Sequence, residues 1–240
     1  MKARNITQSL DGSGAMFDAI ADRYDLLNRL TSFGRDRAWR RETAIKLGAP
    51  TRILDLATGT GDLAIELAQR YPDAHVTGLD PSARMLEIAR AKTRALALDD
   101  RITYVEGDAQ GLPFEDAEFD SVSMAFGIRN VPDRAAALKE IVRVARVGAK
   151  IAILELTEPR GRGVSLLARC HVHCIVPLLG ALMSGPQQYA YLSRSIAAFP
   201  APQAFVAFAA ENGLLLLQLK PFSFGACHLF LLTPSASGST

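Results

Sequence analysis

A chain of 240 residues, 49% hydrophobic and 22% charged, has the length and composition of one α/β domain, at most with a small cap. Its net charge of +2 comes from interspersed signs, which excludes nucleic acid or an acidic polymer as the expected partner. Three cysteines and an N-terminus without an apolar core argue against a disulfide framework and a secretory leader, so a cytoplasmic setting is expected.

Residues 1–14 lack periodicity and read as a mobile arm ahead of a single domain over 15–232. Phe17, Ile20, Tyr24, Leu27 and Leu30 recur three or four residues apart, the stripe of an amphipathic helix over Met16–Leu30. Tyr24 could reach from it over a substrate, although a Tyr on such a stripe also suits plain core. Arg35 to Leu47 is a second helix; it holds the only Trp, Trp39, and its run Arg35–Arg41 reads as a solvated face, with contact to anionic lipid as the alternative. Strands then alternate with helices: strands at 52–57, 75–80, 102–106, 119–124 and 150–156, helices at 61–70, 82–97 and 132–145. Ser82 is the expected N-cap of the second of these helices, and Asp133 or Pro132 stands near the start of the third. That rhythm predicts a doubly wound, mostly parallel sheet with helices on both faces.

Beyond Pro159 to Gly163 the pattern turns helical, at about 164–182, 186–197 and 202–212, and predicts a cap insertion over about 160–212. Two closing strands follow, 214–219 and roughly 226–232, then a polar tail, 233–240, read as disordered. Val164 to Met183 has the length of a membrane span, but Arg169, His171, His173, Pro177 and Gly180 interrupt it. A cap helix is the expectation, with shallow membrane contact left open. Cys170-His-Val-His-Cys174 is not read as a metal site, because two histidines two apart on a helix diverge by about 160°.

The chemistry centres on Ile53-Leu-Asp-Leu-Ala-Thr-Gly-Thr-Gly61, with Gly78-Leu-Asp80 nineteen residues past Gly61. This reads as a strand, a glycine turn through Gly59 and Gly61, and a helix opening at Asp62, with Asp80 at the next strand end to bind two ribose hydroxyls. The pattern also fits a dinucleotide site. Two acids argue against that. Asp55, four residues before Gly59, suits a cationic amino-acid end and would repel a pyrophosphate. Asp108 could accept from an adenine amino group while the Ala109 N–H donates to a ring nitrogen. Three acids around one glycine turn describe S-adenosylmethionine. After the fourth strand, Arg129 and Asn130 face the expected site; pairing of Arg129 with a carboxylate and capping by Asn130 is the plainer reading.

MFDAIADRYDLLNRLTSFG with Trp39-Arg-Arg, LDLATGTGDLA, FGIRNV, IVPLLG and YAYLSRSIAAFP together resemble the ubiquinone/menaquinone biosynthesis C-methyltransferase family, in order from about Met16 to Phe224. The resemblance implies a class I methyltransferase fold and methyl transfer from S-adenosylmethionine to a ring carbon of a prenylated quinol. It implies cofactor contacts at Thr60, Asp80, Asp108 and Ala109, with Arg129 helping a hydroxyl or ring carbon lose a proton and 164–183 sheltering a polyprenyl tail. The family's usual Ser before the Phe-Gly pair is Ala125 here, and the C-terminal ending also departs.

The sequence reading is therefore an α/β, class I methyltransferase with N-terminal helices and a helical cap, acting on a hydrophobic quinol. Cofactor-binding candidates are Asp55, Gly59, Thr60, Gly61, Asp80, Asp108 and Ala109; catalytic candidates are Arg129, Tyr24 and Asn130. A C- or O-methyltransferase of another phenolic, quinone-like or polyketide product, a non-catalytic cofactor-binding module and an NAD oxidoreductase are the rivals. A homodimer and peripheral contact at the inner membrane face are compatible with it, and no metal or nucleic acid is expected.

Overall fold

The computed structural model describes residues 14–159 and 186–235. Residues 1–13 of the expected arm, the helix at 164–182 with its Cys/His cluster, and residues 236–240 of the tail lie outside these.

Seven strands form one sheet: β1 (Arg52–Leu56), β2 (His75–Asp80), β3 (Ile102–Glu106), β4 (Phe119–Ala125), β5 (Ala145–Leu156), β6 (Leu214–Phe222) and β7 (Cys227–Pro234). Their order is β3-β2-β1-β4-β5-β7-β6, with β7 antiparallel to both neighbours and the first five strands parallel. The helices are α1 (Gly14–Asp18), α2 (Ala21–Ser32), α3 (Asp36–Lys46), α4 (Asp62–Arg70), α5 (Ala83–Ala95), α6 (Arg134–Val144), α7 (Pro186–Ala198) and α8 (Pro202–Glu211).

Period-2 alternation in β5 shows why the sheet is covered on both faces. Ile151 and Ile153 pack with Leu138 and Ile141 of α6 and Phe205 of α8, whereas Ala152 and Leu154 pack with Trp39 of α3, Leu67 of α4 and Leu86 of α5. The expected Ser82 cap holds, with its Oγ accepting from the Met85 N–H at 3.1 Å, and at the start of α6 Asp133 rather than Pro132 is the cap, a carboxylate oxygen accepting from the Ala136 N–H at 3.0 Å.

Three boundaries differ from expectation. The N-terminal helix is two pieces, α1 and α2, and begins at Gly14. Helix α8, expected within the cap, is a core element, because Phe205 and Ala209 are fully buried and Phe205 meets Phe230 of β7 edge-to-face with ring centroids 4.8 Å apart. Strand β7 extends to Pro234, two residues into the expected tail, since its pairing with β6 continues to Leu214.

Candidate active site

In this strand order the chain switches direction between β1 and β4, and ligands of doubly wound sheets bind above that crevice. A cavity of about 310 Å³ opens there, lined from β1 and β2 by Ala57, Gly59 and Asp80, from the β3 loop by Asp108, Ala109 and Gln110, and from β4 by Phe126, Gly127 and Asn130. Phe17 of α1 and Tyr24 of α2 cover it.

Two backbone features shape the rim. Ala57 (φ 50°) and Phe126 (φ 60°) end β1 and β4 in the left-handed region, which costs an L residue about 1 kcal/mol or more. Phe126 is held there by its N–H donating to the Leu154 carbonyl at 2.8 Å and by its own carbonyl accepting from Arg129 Nη1 at 2.7 Å. Gly127 allows β1 and β4 to approach, for a Cβ there would stand 2.5 Å from that of Ala57.

Asp80 fits the ribose role. It is 6% exposed, and each carboxylate oxygen accepts one backbone N–H, from Gly59 at 2.8 Å and Ser82 at 2.9 Å. A carboxylate accepts about four bonds, so both oxygens keep capacity toward the cavity. Burial pushes its pKa up to about 6 despite those two N–H groups. Asp108 stands exposed at the same wall beside buried Ala109, with one oxygen accepting from the Gln110 N–H and the other from the Gln110 amide.

The glycine turn divides its residues. Gly59 (φ 56°) faces the cavity, where the nearest side chain to an added Cβ is Tyr24 at 3.7 Å. Gly61 (φ 81°) points inward; a Cβ there would lie 2.5 Å from the Tyr104 hydroxyl. Asp55, Thr60 and Arg40 line a small polar recess that shares Tyr24, Ala57 and Gly59 with the main cavity. Asp55 is 1% exposed and accepts from the Ser123 and Thr58 hydroxyls at 2.6 and 2.7 Å; burial lifts its pKa to about 6 against both bonds. Thr60 donates to Asp25 of α2 at 2.5 Å.

The catalytic candidates separate too. Tyr24 lines the cavity, and burial raises the pKa of its phenol, which keeps it neutral and a donor. Asn130 lines it with both amide atoms engaged, Nδ2 donating to the Phe126 carbonyl at 3.2 Å and Oδ1 accepting from the Tyr191 hydroxyl at 3.0 Å. Asp133, not Asn130, caps α6. Arg129 is not in the cavity wall. Its Nη1 donates to Glu155 Oε1 at 2.6 Å, with the two side chains 8% and 0% exposed. Burial would lower its pKa, but Glu155, Tyr24 and Tyr191 together outweigh it and the net shift is upward.

Several residues were not singled out from sequence. Arg40, read as part of a solvated face, is 7% exposed, bonds Asp36 at 2.5 Å and lies 5.2 Å above the Phe126 ring. Asp18, Asp22 and Asp25 form one acidic edge of α1 and α2 that meets α5. Asp18 accepts from the Ser82 hydroxyl at 2.5 Å, Asp22 pairs with Arg84 at 2.9 Å, and Asp25 with Lys92 at 3.0 Å. Their 18, 22, 25 spacing was a legible signal of a common face; their partners were not. No group of three or more metal-ligating residues occurs among the described residues.

Backbone glycines against the cavity, a buried acid with spare acceptor capacity and a second acid beside Ala109 suit S-adenosylmethionine. Fold and site thus define a class I, S-adenosylmethionine-dependent methyltransferase. The chain belongs to the ubiE/COQ5 methyltransferase family, whose model it matches over residues 7–232. It is 47% identical over 219 residues to a demethylmenaquinone methyltransferase of Thermus thermophilus, spanning 89% of this chain and 98% of that one. It is 41% identical over 218 residues to a ubiquinone/menaquinone biosynthesis C-methyltransferase of Geotalea daltonii, spanning 90% and 93%. A putative S-adenosylmethionine-dependent methyltransferase structure from Methanococcus maripaludis shares the fold over 100% of both chains, with TM-score 0.67 at 20% identity. One from Aquifex aeolicus does so over 88% of this chain and 97% of its own, with TM-score 0.63 at 17%.

Proposed function

We propose that this enzyme C-methylates a prenylated quinol of the demethylmenaquinol kind. The observation that carries the reading is the cavity itself: its lining combines the acids Asp80 and Asp108 with apolar side chains that include Phe17, Met124, Phe126 and Val131, and with Tyr24 as a neutral polar group. Curated relatives of nearly equal length bear that activity in their names.

When bound, S-adenosylmethionine supplies an already activated methyl group. The protein's part is then alignment and exclusion of water. Asp80 would hold the ribose, Asp108 and the Ala109 N–H the adenine, and the recess at Asp55, Thr60 and Arg40 the charged amino-acid end. Phe17 and Phe126 would close the ring site. Tyr24 would donate to the acceptor's ring oxygen and steady the negative charge that makes the neighbouring carbon nucleophilic. Arg129, behind that wall, would add its field to Tyr24, though Glu155 offsets much of it. Asn130 would orient Tyr191 at the rim.

The test is turnover with labelled cofactor on demethylmenaquinols, a demethylated benzoquinol of the ubiquinone type, and small phenols, with the new methyl located by NMR. A ring-carbon methyl on the naphthoquinol is the expected product. An O-methyl product, or preference for a small phenol, would overturn the reading in favour of a secondary-metabolite enzyme; cofactor binding without turnover on any acceptor would make this a binding module.

A further inference from the structure

We infer that Lys92 is a positioning residue that clasps α2 to the glycine turn and, through Thr60, presents a hydrogen-bond acceptor to the ammonium group of S-adenosylmethionine. From sequence, Lys92 is one of the bases that close α5, beside Arg94. In the structure its Nζ reaches three elements at once. It donates to Asp25 Oδ2 of α2 at 3.0 Å, to the Thr60 hydroxyl oxygen of the glycine turn at 3.3 Å, and to Asp62 Oδ1 at the start of α4. An ammonium has three N–H donors, and these contacts engage all three.

The contact decides what Thr60 can offer a ligand. Its hydroxyl gives its one proton to Asp25 Oδ1 at 2.5 Å and accepts from Lys92. One lone pair and no proton remain, so this oxygen can accept from an ammonium but cannot donate to a carboxylate. Thr60 lines the polar recess together with Asp55, Asp62 and Arg40. Asp55 and Thr60 thus supply acceptors there, and Arg40 supplies the cation that a free amino acid's carboxylate needs.

Lys92 also holds two carboxylates together that would otherwise repel. Burial would raise the Asp62 pKa, but Lys92, with Arg40 and Arg29, outweighs it and the net shift is downward. The other Asp62 oxygen lies 3.9 Å from Arg40 Nη1, which bonds Asp36 at 2.5 Å. Alternating charges therefore run from α2 through α5 and α4 to α3 around the recess. A second tie joins α2 to α5, Asp22 to Arg84 at 2.9 Å, but Arg84 bonds no residue of the glycine turn among the described residues. That pair shows what helix docking without the clasp would look like. The inference rests on the amino-acid end of the cofactor lying in the recess, as proposed above.

The experiment is calorimetry of the full chain with S-adenosylhomocysteine and with 5′-methylthioadenosine, which keeps the adenine and ribose but lacks the amino-acid end. Lys92→Met should weaken S-adenosylhomocysteine about tenfold or more, the scale of a lost hydrogen bond to a charged group, and leave methylthioadenosine affinity unchanged. Lys92→Arg keeps the charge and should recover part of the loss. Thr60→Val should show the same selective loss, and Lys92→Met should add little in that background, because both act through one hydroxyl. Arg84→Met should change neither affinity. Equal weakening of both ligands by Lys92→Met would overturn the proposal, since loosened packing alone does that. So would losses from Lys92→Met and Thr60→Val that simply add. A parent that binds the two ligands equally would overturn it together with the placing of the amino-acid end in the recess.

Discussion

Arg129 and Glu155 form a buried pair at the ends of neighbouring strands, Nη1 to Oε1 at 2.6 Å, and the same carboxylate also accepts the Arg129 N–H at 3.2 Å and the Leu156 N–H at 2.7 Å. Either partner alone is costly, because a buried charge left unpaired destabilises by about 3–5 kcal/mol. Arg129→Gln and Glu155→Gln should each lower the melting temperature, and the double Gln variant should recover much of it. The decisive quantity is kcat in the double variant. A fall of about 10²–10³ in stable protein would make Arg129 a source of transition-state stabilisation; kcat near the parent value would leave it a strut for the Phe126 turn.

Asp80 should contribute to the cofactor through its remaining lone pairs. Asp80→Ala is expected to weaken S-adenosylmethionine by about 1.5–3 kcal/mol, the usual loss for a bond to a charged group. Calorimetry on a folded variant checks this, and unchanged affinity would move the ribose elsewhere.

Asp55 and Asp80 make stability and binding diverge with pH. Both carboxyls titrate at about 6 in the folded chain, above the ordinary value near 3.9. Between those values the folded chain holds more protons than the unfolded one. Their joint effect is therefore to raise stability as pH falls from 7 toward 4, by at most about 3 kcal/mol each. Asp55→Asn, whose hydroxyl partners can reorient, should lose its share of that slope. If Asp80 holds the ribose as proposed, cofactor affinity should run oppositely and weaken as pH drops through 6, where Asp80 loses the charge that would accept ribose hydroxyls. Melting curves and calorimetry at matched pH would expose a parallel trend, which would contradict the assignment.

Gly59 and Gly61 should fail in different ways. Alanine at Gly61 meets the Tyr104 hydroxyl at 2.5 Å in a left-handed backbone, so a loss of about 1–3 kcal/mol in stability is expected. Alanine at Gly59 meets only Tyr24 at 3.7 Å, so its fold cost should be near the backbone strain alone, about 1 kcal/mol, while its methyl intrudes on the cavity. Gly59→Ala should therefore raise the KM for cofactor far more than it lowers the melting temperature.

Acceptor tail length should be felt in KM rather than kcat. If the enzyme shelters a prenyl chain, each buried methylene should add about 0.8 kcal/mol until the shelter is full. Equal KM values for tailless and tailed quinols would remove that element of the proposal.

Much of this protein was legible in order along the chain. Helix and strand periods, the caps at Ser82 and Asp133, and the glycine turn are local: they depend on residues within three or four positions, or on a backbone conformation that only certain residues accept cheaply. From them follow the parallel sheet and the placing of Gly59, Asp80, Asp108 and Ala109 about one cavity. Tertiary structure alone decided the rest. Arg129 reads either as a cation facing the site or as one half of an ion pair, and only the fold brings it to Glu155, 26 residues later; Arg40 reads as solvated, yet the packing of α3 buries it on Asp36. The tie of Asp18 to Ser82 spans 64 residues, and that of Asp25 to Lys92 spans 67. Which charge meets which is set by the approach of whole elements, and in a buried setting that choice governs whether a charge serves a ligand or is neutralised by its neighbour.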